Sequence, residues 1–265
     1  MRPQAPRVLA AATALVCAAL LASCGKVNPT PAASTVTTHP GTGTTPREAA
    51  PPAPSHERPL TQAQAHAFAS AVNLRAADVP GFVPSVRAAT GGFGGEKRLE
   101  EQLARCAGAS GSARAGPAEA GSPVFRRRGA LLGDSVSSSV SFLSSAAAGA
   151  QELAVLRSER LRTCLSRYLD ALLRGRQFGG ATLGNVSIVE GTPPAPGTTG
   201  GFGWRVTAVF TIRRLRVPFY LDTLGFIDRR AEVTLQSSGA ALPFPAAAEE
   251  HLFNLLLERA KRQHL

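Results

Sequence analysis

The sequence predicts an α+β protein, a single domain in which helices flank an antiparallel sheet. Three observations carry this. Residues 182–239 hold four β-rich runs in succession, joined by glycines, polar residues or Arg pairs. Amphipathic helical stretches stand before and after them. Over residues 25–58 the chain has almost nothing to bury, being rich in Pro, Thr, Ala and Gly. The expected organisation is a signal segment over 1–23, a lipidated cysteine and tether over 24–58, and one folded domain over 59–265.

The signal segment comes first. "MRPQAPR" carries Arg2 and Arg7 and no acid, and Val8 to Ala22 is apolar apart from Thr13. That run of 15 residues falls short of the roughly 20 that a membrane-spanning helix needs. A basic start, a short apolar core and small residues at its end describe an export signal. Leu21-Ala22-Ser23-Cys24 resembles the bacterial lipobox. The resemblance implies that Cys24 receives a diacylglycerol and becomes the mature N-terminus, which places the protein on the outer face of the cytoplasmic membrane. Two or three acyl chains suffice for stable anchoring. The tether that follows is expected to be disordered or polyproline-like, with a reach of roughly 100 Å when extended.

Within the domain, "LTQAQAHAFASAV" opens with Thr61 and Gln64 at capping-box spacing and stripes Ala65, Phe68, Ala69 and Val72 along one face. "DVPGFVP" reads as a turn-rich link. In "GEKRLEEQLARCAG" Leu99, Leu103 and Cys106 recur at helical spacing. "PVFRRRGALLGDSVSSSVSFLSS" predicts two strands around a turn at Gly129 or Gly133, with Val136, Val140 and Phe142 on an alternating face. "QELAVLRSERLRTCLSRYLDALLRG" predicts one long helix with Leu161, Cys164, Tyr168 and Leu172 on its apolar side. The four β runs follow, Val206, Ala208, Phe210 and Ile212 alternating as in a half-buried strand. "PFPAAAEEHLFNLLLERAKRQ" closes the domain as a helix with acids in its first turn and bases in its last.

Cysteine usage supports the export reading. Of four cysteines, Cys17 lies in the signal and Cys24 at the cut, leaving Cys106 and Cys164. Outside the cytoplasm, on two helices facing one core, they are expected to form a disulfide. The alternative is two free buried thiols acting as small hydrophobes. A metal site has no His or second Cys at ligand spacing, and no cofactor is expected.

The formal charge is +11, and only Lys26, Lys97 and Lys261 among the 29 basic residues are lysines. A basic exported surface favours anionic headgroups or wall polymers, and export argues against nucleic acid. Arg126, Arg127 and Arg128, with Arg213, Arg214, Arg216 and the pair Arg229-Arg230, are expected at strand ends. There they are either a basic rim toward anionic ligands or charged edge protection. Arg213, Arg214, Trp204 and Tyr220 are the candidate ligand-binding residues; the alternative for the aromatics is a place in the core. Catalytic readings fare poorly. "LLGDSVS" makes Ser135 a nucleophile only if a histidine base serves it, and no His follows an Asp at the required spacing. "TGGFGGEK" and "TTGGFGW" do not end in the Lys-Ser/Thr of a phosphate loop.

"DVPGF", "CAG" before "SPVF", the Ser/Val strand, the Cys164-Leu165 helix and the stretch from "GFIDRRAEVTLQSSG" to "LLLERA" together resemble actinobacterial envelope lipoproteins. Their layout is similar to the extracellular sensor domain of PknH-type kinases and to the Mog1/PsbP-like fold. The resemblance covers roughly residues 60–262 and implies a non-catalytic binding or sensing domain for a lipidic or anionic envelope ligand. The chain departs from the sensor pattern in having one cysteine pair rather than two and no kinase domain. The alternatives are an interaction protein docking on another envelope component, and a wall- or lipid-acting hydrolase.

Overall fold

A computed structural model describes residues 60–85, 102–103, 105–108, 120–128, 134–174, 181–212 and 214–263, with the side chain of Leu172 excepted. Cys24 and the tether, the turn at Gly129 or Gly133, the loop "TGGFGGEK" and Arg213 lie outside the described residues. The elements in chain order are helix α1 (Gln62–Val72), a 3-10 turn (Ala76–Asp78), strands β1 (Phe82–Pro84), β2 (Ala120–Gly121), β3 (Phe125–Arg127) and β4 (Ser135–Phe142), helices α2 (Ala146–Leu156) and α3 (Glu159–Arg174), strands β5 (Ala181–Gly191), β6 (Gly200–Ile212), β7 (Leu215–Asp228) and β8 (Ala231–Ala240), and helix α4 (Ala246–Lys261).

The eight strands form one antiparallel sheet in the order β1-β3-β4-β8-β7-β6-β5, with β2 also pairing β4. Strands β5 to β8 are the expected meander. β4 joins it beside β8 rather than β5, because α2 and α3 carry the chain across the sheet to its far edge.

Alternation sorts the side chains. Val136, Val140, Phe142, Phe226, Ala231, Val233 and Leu235 face α1 and α4, whose Phe68, Val72, Leu252, Phe253 and Leu256 complete the larger core. On the opposite face α3 places Leu165, Tyr168, Leu169 and Leu173 over Val206, Ala208, Phe210, Phe219 and Leu221. Beside it, α2 contributes Leu153 and Leu156 over Phe202, Trp204 and Ile227. β5 reaches this second layer through a bulge. Val186 pairs Ala208 and Leu183 pairs Phe210, so one extra residue on β5 returns Leu183 and Ala181 to the α3 side.

The capping box of α1 forms as its spacing predicts: Thr61 Oγ1 accepts from Gln64 N at 3.2 Å, and Gln64 Oε1 accepts from Thr61 N at 3.0 Å. The single long helix expected over 151–175 is two helices instead. Arg157 C-caps α2, and Ser158 starts α3 by accepting from Leu161 N at 3.1 Å. A serine that bonds the backbone ahead of it competes with helix continuation.

Cys106, in a helical turn at residues 105–107, is disulfide-bonded to Cys164 on α3, with Cα atoms 5.8 Å apart. Arg160 donates to the Cys106 carbonyl beside the bridge. The crosslink fastens this turn to the apolar side of α3, where Cys164 is buried.

Candidate functional site

At one end of the sheet, the loop between β5 and β6, the β7–β8 turn and the C-terminal end of α4 border an open cleft of about 370 Å³. Gly197, Thr198, Thr199, Asp228, Arg229, Lys261 and Gln263 line it. Local chemistry fixes each wall. Thr198 donates through its backbone N and its hydroxyl to Ala195 O at 3.3 and 2.7 Å, and Thr199 N donates to Ile227 O at 2.8 Å. Gly197 has φ 80°, and a Cβ there would stand 3.5 Å from Lys261 Cε, so the lysine stem lies against the loop backbone. Asp228 and Ala231 close a two-residue turn in which Arg229 adopts φ 55°. A left-handed residue other than glycine costs about 1–2 kcal/mol, and such outliers concentrate where geometry serves a site. The turn is braced from behind by Gly149 of α2, where a Cβ would come within 2.4 Å of Arg229 O. Arg157 ties α2 to the start of β6 by donating to Gly201 O, at 2.8 Å from Nε.

Burial pushes the Asp228 carboxyl above 3.8, against the pull of Arg229 and Lys261 beside it. Lys261 Nζ lies 4.0 Å from Glu258 across a half-exposed contact, too loose to neutralise it fully. The cleft therefore gathers two cations, a carboxyl of reduced acidity and neutral hydrogen-bonding groups. This set suits a molecule with an anionic group and hydroxyls.

A second ionic group lies on the α4 face of the sheet. Arg205, Asp222 and Ser237 are cross-strand neighbours in one row. Arg205 holds the Asp222 carboxylate bidentately at 2.6 and 2.9 Å, and that bond raises the guanidinium's pKa. Ser237 Oγ donates to Glu249 in the first turn of α4. Burial pushes the Glu249 carboxyl up; the Ser237 bond opposes this, Asp222 adds to it and Arg205 opposes it. Each acid in the row has a partner, and the row fastens α4 to the sheet.

Of the four residues proposed from sequence, the structure describes Trp204, Tyr220 and Arg214, and it sets them apart. Trp204 is buried under α2, its ring 5.3 Å from that of Phe202. Tyr220 is half-buried on the opposite face, paired across the strands with Thr207. Alternation separates them: Trp204 points with Phe202 and Val206, while Tyr220 points with Asp222. Arg214 is exposed in the β6–β7 turn at φ 73°, and Arg213 lies outside the described residues. No common site forms from Trp204 and Tyr220.

The arginines divide likewise. Arg127 lies 5.0 Å over the Phe82 ring and pairs Asp134 at 2.7 Å. Arg214 and Arg216 share that end of the sheet, whereas Arg229 and Arg230 turn at the other, some 45 Å away along β7 at ~3.4 Å per residue. Ser135 is buried, and its hydroxyl shares a 2.7 Å hydrogen bond with Ser238.

Sequence reading had marked Arg229 as a strand-end arginine and Lys261 as a helix-end base, but nothing local joined them. Comparison with protein-family models and with curated proteins finds no match for this chain.

Proposed function

We propose that this chain is a membrane-anchored lipoprotein whose extracytoplasmic domain binds an anionic molecule of the cell envelope without transforming it. The cleft carries the reading. Its volume of about 370 Å³ is in the range of small-molecule sites, and Arg229 and Lys261 supply the charge. Anchoring rests on Leu21-Ala22-Ser23-Cys24, and the binding role draws support from the resemblance to PknH-type sensor domains. A lipid tail finds no comparable support: the apolar space under α3, between Leu169, Leu173 and Phe210, amounts to about 10 Å³, room for about one water.

The test has two arms. Cys24→Ala should release the protein from membranes or leave it unprocessed; a variant still cut and still membrane-bound refutes the anchor. Calorimetric titration of the full chain with glycerol phosphate at low salt should show saturable binding, about tenfold weaker in Lys261→Glu. Binding that is absent, or unchanged in Lys261→Glu, refutes the cleft. The interaction-protein reading is favoured by Leu215 and Leu242, which are 69% and 74% exposed at the end of the sheet away from the cleft.

A further inference from the structure

The end of the sheet away from the cleft is built from the β6–β7 hairpin, the exit from β8 and the end of β3. Ile212 and Leu215 close the hairpin as cross-strand partners. β8 pairs β7 only from Phe219 onward, so the hairpin projects past it by about 14 Å at ~3.4 Å per residue. Leu215 stands in the same alternation as Phe219 and Leu221, whose side chains α3 covers, yet it is itself uncovered. Ala241 N donates to Pro218 O at 2.8 Å, which sets Leu242 beside β7, about 10 Å along the strand from Leu215. These two are the most exposed large apolar side chains among the described residues.

Each leucine follows a residue with left-handed backbone, Arg214 at φ 73° and Ala241 at φ 68°. Glycine or asparagine is the usual choice there, and such outliers gather where geometry serves a function. The charge around the leucines is positive. Arg214 and Arg216 are exposed on either side of Leu215, and Arg128 is exposed just after β3, about 14 Å across the sheet from β7. Among the described residues none of these three has an ion pair, whereas Asp134 holds Arg127 and Asp170 holds Arg174. In the first turn of α4, Glu249 is bonded to Ser237 and Glu250 is exposed.

We propose that this end of the domain docks on a bilayer containing anionic lipid, with Leu215 and Leu242 entering the surface and Arg128, Arg214 and Arg216 against the headgroups. Interfacial binding needs only a few apolar side chains flanked by cations, and each arginine near an anionic surface strengthens it about fivefold. A protein partner calls for about 20–30 residues around an apolar centre poor in charge. Two separated leucines among unpaired arginines do not supply one. The contact rests on the lipoprotein reading only for the nearness of a membrane. On that reading the tether over residues 25–58 reaches roughly 100 Å, about twice the length of β7. That is enough for this end to face the membrane, with the cleft opening away from it.

The test is tryptophan fluorescence of the full chain, reconstituted at low salt in phosphatidylcholine vesicles with brominated acyl chains, with and without phosphatidylglycerol. The native Trp204 is buried, so the wild type gives a constant background. Leu215→Trp and, separately, Leu242→Trp should be quenched and blue-shifted when phosphatidylglycerol is present, and much less without it. Val189→Trp, also exposed but about 24 Å nearer the cleft end, should stay unquenched. Adding Arg214→Gln and Arg216→Gln to Leu215→Trp should lower the ratio of quenched to unquenched protein about 25-fold. Three outcomes overturn the proposal: both leucine reporters unquenched on anionic vesicles, which would return these side chains to a protein partner; quenching indifferent to phosphatidylglycerol or to the arginine substitutions; or equal quenching of Val189→Trp, as unspecific adsorption would give. The anchor is tested apart, by release of Cys24→Ala from membranes, so its failure and the failure of this contact are distinguishable.

Discussion

Arg259 on α4 reaches back to the 3-10 turn, and its removal should be among the most damaging single changes outside the apolar core. Its Nη1 and Nη2 each lie 2.8 Å from a carboxylate oxygen of Asp78, and Nη1 also donates to Asn73 O at 3.2 Å. The two side chains are only 16% and 11% exposed. Breaking a buried pair by deleting one partner costs about 3–5 kcal/mol. The lower figure applies here, because Asp78 keeps the Arg75 amide at 2.7 Å. A loss of about 3 kcal/mol corresponds to roughly 6–12 °C in melting temperature for a domain of this size. Arg259→Met should therefore lower both the melting temperature and the urea midpoint, and adding Asp78→Leu should recover more than half of the loss. Acidity supplies a second readout. Burial pushes the Asp78 carboxyl up, but the bonds from Arg259 and the Arg75 amide, with the charges of both arginines, hold it below 3.8. A depressed carboxyl stabilises the fold above its unfolded pKa and loses that contribution as the pH falls through the folded value. The gap between wild type and Arg259→Met should thus be full at neutral pH and shrink below about pH 4. A neutral-pH loss under about 1 kcal/mol, the range of an exposed pair, or a gap indifferent to acid would refute the reasoning.

The Cys106–Cys164 bridge closes a separation of 58 residues, and reducing it should remove about 4 kcal/mol in the chain-entropy treatment; denaturation with and without reductant measures this, and two free thiols in the unreduced, unfolded chain would contradict it. Gly225 lies directly under the ring of its cross-strand partner Phe202, where a Cβ would come 2.2 Å from Cζ; Gly225→Ala should cost about 1–3 kcal/mol by overpacking, and Phe202→Leu in the same chain should restore part of it.

What the sequence made legible was whatever short-range chemistry decides. Thr61 and Gln64 are three residues apart and form their box. Val206, Ala208 and Phe210 alternate and face α3. The cysteine pair followed from export and helical spacing, and it is bonded. Ser158 could be read either as one more helical residue or as a cap, and only packing separates the two. The β5 bulge at Leu183–Val186 depends on β6 register, which no local pattern announces. The cleft joins residues near 198, 228 and 261, each ordinary in its own stretch. The serines of β4 were visible as the second half of an alternation, but a polar alternate face reads as solvent-facing. Its burial emerges only when β8 brings Thr234, Gln236 and Ser238 alongside.

That arrangement has an energetic logic. Placing nine polar side chains on one sheet face, eight of them buried, contributes little to stability and leaves bonds unmade, so another part of the fold must offset it. The α1/α4 face does so: Phe68, Val72, Phe226, Phe253 and Leu256 are essentially sealed there, each worth about 1.5–3 kcal/mol on burial. On the opposite face the apolar load is carried by β5–β7 under α2 and α3, where the disulfide adds a crosslink. β4 and β8 are thus held in place chiefly by their other face and by their ladders. Their polar side is packed as well, Ser135 sharing a hydrogen bond with Ser238 and Ser141 donating to Glu232, so cross-strand polar pairing takes there the place that apolar burial takes on the other face.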